Sequence, residues 1–80
     1  MEKIKMYFKD HKNVSFSQVQ KDTIKNDVMA VYLPNDLQIN IGLDCEGYTL
    51  ELFKYDTLLK YEYNSLSINE VYNTLEKWGL

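Results

Sequence analysis

The chain has no arginine; all nine of its cations are lysines. Arginine is the usual bidentate reader of guanine and the usual planar holder of phosphate. Its absence from a chain of net charge −3 argues against a nucleic-acid reader. There is one cysteine, so no internal disulfide framework can form. There is one histidine, His11, and a single histidine cannot build a multi-histidine metal site. The three glycines, Gly42, Gly47 and Gly79, stand far apart, so no glycine-rich phosphate loop is present. No run of apolar residues approaches the length of a membrane span, and Met1-Glu2-Lys3-Ile4-Lys5 is not followed by an apolar run of signal-peptide length. A soluble protein of the cytoplasm of a bacterial host is the expectation. Asparagine, tyrosine, lysine and isoleucine are abundant, and their AT-rich codons suggest an AT-rich bacterial genome or its phages.

Catalytic patterns are equally scarce. Cys45 lies between Asp44 and Glu46, and two carboxylates are the opposite of the electropositive surroundings a reactive thiolate needs. Those three residues would require further ligands from elsewhere to hold a metal. No Ser/His/Asp arrangement stands out. The expectation is a non-enzymatic protein with no metal and no cofactor.

What is present is alternation. Residues 28–33, 37–43, 48–54 and 57–63 read as four consecutive strands. Leu37, Ile39, Ile41 and Leu43 alternate with polar residues or glycine, and Tyr48, Leu50 and Leu52 do the same, which is the period of a half-buried strand. Pro34-Asn35-Asp36 suits a type I turn, Asp44-Cys45-Glu46-Gly47 a longer loop, and Tyr55-Asp56 a two-residue turn without glycine. With these turns Val31 faces Ile39, Ile39 faces Leu52, and Ile41 faces Leu50. Leu59, Tyr61 and Tyr63 then complete the same apolar face against Leu52, Leu50 and Tyr48. Lys60 falls opposite Glu51 on the other face.

Helices flank this meander. Ile4, Tyr7, Phe8 and His11 form one stripe of a helix over 2–11. Ser15 and Gln18 make a capping-box pattern, and Val19 breaks strand alternation, so a helix over 16–25 is preferred to a fifth strand over 14–18. At the other end Ser67 and Glu70 form a capping box, and Leu66 and Val71 a hydrophobic staple, for a helix over 67–78 with Gly79 at its end. A helix is about 10 Å across and four strands about 19 Å, so one helix cannot cover the apolar face. The expected fold is one α+β domain of 80 residues: a four-stranded antiparallel meander, a C-terminal helix and one or two N-terminal helices, all packed mainly on one face.

Function is then expected on the other face. Tyr32, Phe53 and Leu58 project there as apolar anchors. The acids Asp44, Glu46, Glu51, Asp56 and Glu62 cluster around them and on the hairpin tips. Residues 1–26 carry a balance of +3, while residues 27–80 carry −6. These features suit a small binder that occupies a surface on a larger protein, such as a nucleic-acid-binding enzyme with a basic groove. The concrete form of that expectation is a phage or mobile-element inhibitor of a host defence nuclease, of the anti-CRISPR kind. Two other classes compete. One is a nucleic-acid-binding regulator that uses lysines 3, 5, 9, 12, 21 and 25 on paired N-terminal helices, although direct nucleic-acid binding is not the expectation. The other is a homodimeric module joined through the open sheet face or an edge.

Overall fold

The structure is a computed structural model that describes residues 1–23 and 26–80. It is an α+β fold with a six-stranded antiparallel sheet and two helices. The elements are α1 (Glu2–Tyr7), β1 (Ser15–Phe16), β2 (Gln20–Thr23), β3 (Asn26–Tyr32), β4 (Leu37–Leu43), β5 (Tyr48–Lys54), β6 (Thr57–Leu66) and α2 (Ile68–Lys77). Strand order is β1-β3-β4-β5-β6, and β2 also pairs with β3. The expected four strands become six. β2 and half of β1 fall in the segment read as a helix over 16–25, whose last two positions lie outside the described residues, and β1 falls within the competing strand reading over 14–18.

The reason is backbone satisfaction at the outer edge of β3. β1 pairs Ser15 with Tyr32 and Phe16 with Val31, and β2 pairs Gln20 with Val28 and Lys21 with Asp27. Between them the Ser17 N–H donates to the Ala30 carbonyl at 2.9 Å, and the Ala30 N–H donates to Ser17 Oγ at 2.9 Å. The serine side chain thus acts as the missing carbonyl of an interrupted edge strand. A helix here would have left the β3 edge without these partners. The Ser15/Gln18 pattern marks no helix cap, and Val19 breaks alternation because it sits in the interruption.

The central register agrees with the alternation. Val31 pairs with Ile39, Ile39 with Leu52, Ile41 with Leu50, and Leu43 with Tyr48. The β3–β4 turn differs in detail: Asn35 and Asp36 both take positive φ, 65° and 63°, which a type I turn does not use. Asparagine and aspartate tolerate that region better than other non-glycine residues.

β6 departs most from expectation. Phe53 pairs with Leu58, but Leu52 then pairs with Lys60, so Leu59 is an extra residue in a bulge. One inserted residue moves every following side chain to the opposite face. Glu51 therefore pairs with Tyr61, and Leu50 with Glu62. Tyr61 and Tyr63 are 60% and 49% exposed on the open face, not part of the core. Lys60 and Glu62 take the helix-bearing side at the sheet's end. A second irregularity, with Ser65 at φ 54°, brings Leu66 opposite Tyr48. Leu66 fills the inner position that Tyr63 was expected to take.

The core lies between the sheet and both helices. Met29, Val31, Ile39, Ile41, Leu50 and Leu52 bury against Ile4 and Phe8 from the N-terminal segment and Val71 and Leu75 from α2. α1 is shorter than the predicted 2–11. It closes at Tyr7 and continues as single turns, with Phe8, Lys9 and His11 N–H groups bonding to carbonyls three residues back. The apolar stripe survives: Tyr7 stacks on both His11 and Tyr72, and the Tyr7 hydroxyl donates to the Leu80 carbonyl at 3.2 Å. The two helices therefore lie side by side over one sheet face.

α2 begins on Ser67. The Glu70 N–H donates to Ser67 Oγ at 3.2 Å, and the Ser67 N–H donates to Glu70 Oε1 at 3.0 Å. The Ser67 N–H, and then its hydroxyl, hold the Glu70 carboxyl below its usual value. That contribution is present above the unfolded carboxylate range and is lost as pH falls through the lowered pKa. At the far end Gly79 N–H bonds to the Glu76 carbonyl and Leu80 N–H to the Leu75 carbonyl, which is a Schellman closure. Ser67→Ala should lower stability by about 1 kcal/mol. The check is the urea midpoint; coincident midpoints for the two proteins would remove the cap from the account of α2.

Candidate functional site: the open sheet face

The helices cover one face of the sheet, and the strand pairings lay out the other as three rows. The first row runs Ser15, Tyr32, Gln38, Phe53, Leu58 across β1, β3, β4, β5 and β6. The second runs from Ser17 through Ala30, Asn40 and Glu51 to Tyr61. The third begins Gln20, Val28, Gly42, Thr49, with Tyr63 at its β6 end.

Row by row the chemistry changes. The first is the most apolar, with Tyr32 and Leu58 exposed and Phe53 half-buried between them. The β6 side is aromatic, since Tyr61 and Tyr63 stack at 4.8 Å between ring centroids. The middle is floored by small side chains. At Gly42 an added Cβ would stand only 2.6 Å from Thr49 Oγ1, so the threonine hydroxyl occupies the space a side chain would need. Small residues in the middle and large ones around them leave a hollow of about 580 Å³, lined by Tyr32, Asn40, Thr49, Glu51 and Asp44 among others. A smaller hollow of about 200 Å³ lies beside it, between Gln38, Asn40, Phe53, Tyr55 and Asp56.

The electrostatics follow from the bulge at Leu59. Lys60, expected opposite Glu51, is on the helix side, so Glu51 has no cation beside it in its row. Its carboxylate instead accepts a hydrogen bond from the Tyr63 hydroxyl. That bond is the main cause that holds the Tyr63 hydroxyl above the ordinary phenol value, so the tyrosine remains a neutral donor. Asn40 Oδ1 accepts from Gln38 Nε2 at 2.7 Å. Among the described residues the open face therefore carries one carboxylate, a set of neutral amides and hydroxyls, and an aromatic border. Among the described residues it carries no lysine.

The predicted site residues separate into three groups. Tyr32, Phe53, Leu58 and Glu51 share the open face. Asp44, Glu46 and Asp56 sit on the hairpin tips at its borders. Asp44 already holds its own loop together: Oδ1 accepts from the Glu46 N–H at 2.8 Å and the Gly47 N–H at 3.0 Å. Glu62 pairs with Leu50, and so lies on the helix-bearing side with Lys60. Tyr61 and Tyr63 join the open face in its place. The available signal for them was the density of tyrosine around a strand at the end of the sheet, since tyrosine is at home on a half-wet surface.

The other candidates stay scattered. His11 packs edge-on to Phe8 and stacks on Tyr7. Cys45 is an exposed thiol at a hairpin tip. Among the described residues no three His, Cys, Asp or Glu side chains converge as a metal site would require. Among the described residues no helix is long and apolar enough to cross a membrane. Of the paired lysine-bearing helices, α1 carries Lys3 and Lys5, strands β1 and β2 stand where the second was expected, and Lys25 lies outside the described residues. Lys21 lies on β2 and bonds to Asp27 at 2.7 Å, and Lys5 is 3.8 Å from Glu2.

Comparison with known protein families, with curated proteins and with solved structures finds no match.

Proposed function

We propose that the protein is a small non-enzymatic binding domain that docks its open sheet face on a larger protein with a basic surface. One observation carries this reading. The open face combines an aromatic and apolar border with a carboxylate-bearing hollow, and neither helix covers it. An interface usually has large apolar anchors, often aromatic, within a polar surround. Here the anchors are Tyr32, Phe53, Leu58, Tyr61 and Tyr63. The hollow over Gly42 and Thr49 has room for a projecting side chain, and Glu51 makes a cationic one the best complement. Asp44, Glu46 and Asp56 on the borders add long-range attraction to a basic partner. Occlusion of a nucleic-acid-binding groove, as by an inhibitor of a host defence nuclease, is the specific form of this function that the charge distribution favours.

The test is partner affinity. A partner isolated on the wild-type chain should bind Tyr32→Ala or Phe53→Ala more weakly by about 2 kcal/mol or more, measured by calorimetry. Circular dichroism should show both variants folded. Charge reversal at Glu46 and Asp56 should mainly slow association and change its salt dependence. If Tyr32→Ala and Phe53→Ala bind normally while neutral substitutions at Lys3, Lys5 and Lys9 abolish binding, the docking surface is α1 and the open-face reading fails. Binding to DNA or RNA that falls steeply with salt would replace it with the nucleic-acid reading.

A further inference from the structure

We propose that the free edge of β6 pairs antiparallel with β6 of a second copy, centred on Tyr61, and so joins two sheets into one. This inference does not depend on the open-face reading. It starts from topology: β6 ends the strand order, so its outer backbone groups have no strand beyond them. β6 is the longest strand, and between the bulge at Leu59 and the irregularity near Ser65 its regular stretch around Tyr61 is an unpaired edge that can template another strand. Among the described residues the opposite edge of the sheet is divided between β1 and β2 and offers no comparable run.

The side chains of β6 then select the occupant and the register. Lys60 and Glu62 flank Tyr61 on the same side of the sheet, and among the described residues neither is in an ion pair. Asn64 Nδ2 donates to Glu62 Oε1 at 2.7 Å and so holds that carboxylate in place. In a two-fold pairing centred on Tyr61, each Lys60 falls directly opposite Glu62 of the second copy, twice per dimer. Centring on Lys60 would set two lysines face to face, and centring on Glu62 would set two glutamates face to face. Opposite charges across a strand pair are favourable and like charges unfavourable, so the strand is complementary to itself in one register. That register also places Tyr61 against its own counterpart on the open face. Tyr61 is 60% exposed in the single chain, so the pairing withdraws two aromatic rings from water. Paired residues point to the same side, so the two open faces become one continuous surface. An edge-to-edge contact is small, below the class of about 1,200 Å² typical of tight complexes, and the dimer is therefore concentration-dependent.

The experiment is sedimentation velocity over a dilution series reaching about 1 mM, the range suited to small interfaces. The wild-type chain should dimerise. Lys60→Glu alone and Glu62→Lys alone should each weaken dimerisation by about tenfold or more, because every cross-strand pair becomes like-charged. An equimolar mixture of those two variants should associate again as a heterodimer, and the double variant Lys60→Glu/Glu62→Lys should dimerise as the wild type does. Amide exchange supplies a second measurement on the wild-type chain itself: amides of residues 57–66 should gain protection with concentration, while those of residues 15–23 should not. A wild-type chain that stays monomeric throughout overturns the proposal. So do dimers that persist unchanged in both single variants, a mixture that remains monomeric, and concentration-dependent protection confined to the β1–β2 edge.

Discussion

Leu50→Asp is expected to abolish folding. Leu50 sits in the middle of β5, paired with Ile41 on one side and Glu62 on the other, and is 0% exposed. It belongs to the cluster in which Ile4, Phe8, Val71 and Leu75 close over the sheet. Removal of a buried leucine side chain alone costs roughly 2–5 kcal/mol. A carboxylate at that position adds the cost of an unpaired charge, or of a protonated acid without hydrogen-bond partners. A chain of 80 residues has about 4–12 kcal/mol of total stability at the usual yield per residue. The combined loss therefore exceeds what the fold can absorb. Asn40→Asp is the matched control, because Asn40 lies on the open face and an aspartate keeps the oxygen that accepts from Gln38. Far-UV circular dichroism should show an unfolded Leu50→Asp chain and a folded Asn40→Asp chain. A folded Leu50→Asp protein would reverse the assignment of the two sheet faces.

That pair of substitutions uses the part of the fold that the sequence specified best. β4 and β5 are flanked by strands on both sides, and the middle of one of their faces is buried. Ile39, Ile41, Leu50 and Leu52 could therefore satisfy only one register. The Ser67–Glu70 capping box was equally legible, because two reciprocal hydrogen bonds and the Leu66–Val71 staple agree on one helix start. Ser15 and Gln18 had the same spacing without that agreement. Their segment answers to the open edge of β3, a partner distant in structure from any local signal. β6 misled for a different reason. Leu59, Tyr61 and Tyr63 alternate as a core strand would, but at the end of a sheet half of each face is wet anyway. Tyrosine is then acceptable on either side, and the period no longer fixes the register. The bulge at Leu59 decides it, and no residue there announces a bulge. The candidate site inherits this division. Tyr32, Phe53 and Glu51 were placed by the well-specified strands. Glu62, Tyr61 and Tyr63 all change face together because they share one strand beyond one bulge.

Gly47→Ala should destabilise the fold by about 3 kcal/mol, the sum of backbone strain and overpacking. Gly47 closes the β4–β5 loop at φ 151°, a region that residues with a side chain rarely adopt. The loop is fixed from its other end, where Asp44 accepts the Gly47 N–H and donates its own N–H to the Gly47 carbonyl at 3.1 Å. A Cβ added to Gly47 would stand 2.7 Å from the Leu66 carbonyl oxygen and from the Ser65 carbonyl group. Those atoms are backbone and cannot rotate away as a side chain could. They also belong to the segment where β6 carries its second irregularity, with Ser65 at φ 54°. The close approach of the loop thus coincides with the extra residues that bring Leu66 over Tyr48 and into the core. An alanine must either push β6 outward and uncover Leu66, or distort the loop and break the Asp44 bonds. Both routes also disturb Ser67, the residue that starts α2. Glu46→Ala, one position earlier in the same loop and exposed, should stay within about 0.5 kcal/mol of the wild type. Guanidinium midpoints of the three proteins separate these cases. If Gly47→Ala unfolds at the wild-type midpoint, the loop does not approach β6 closely, and the account of how Leu66 rather than Tyr63 enters the core is wrong.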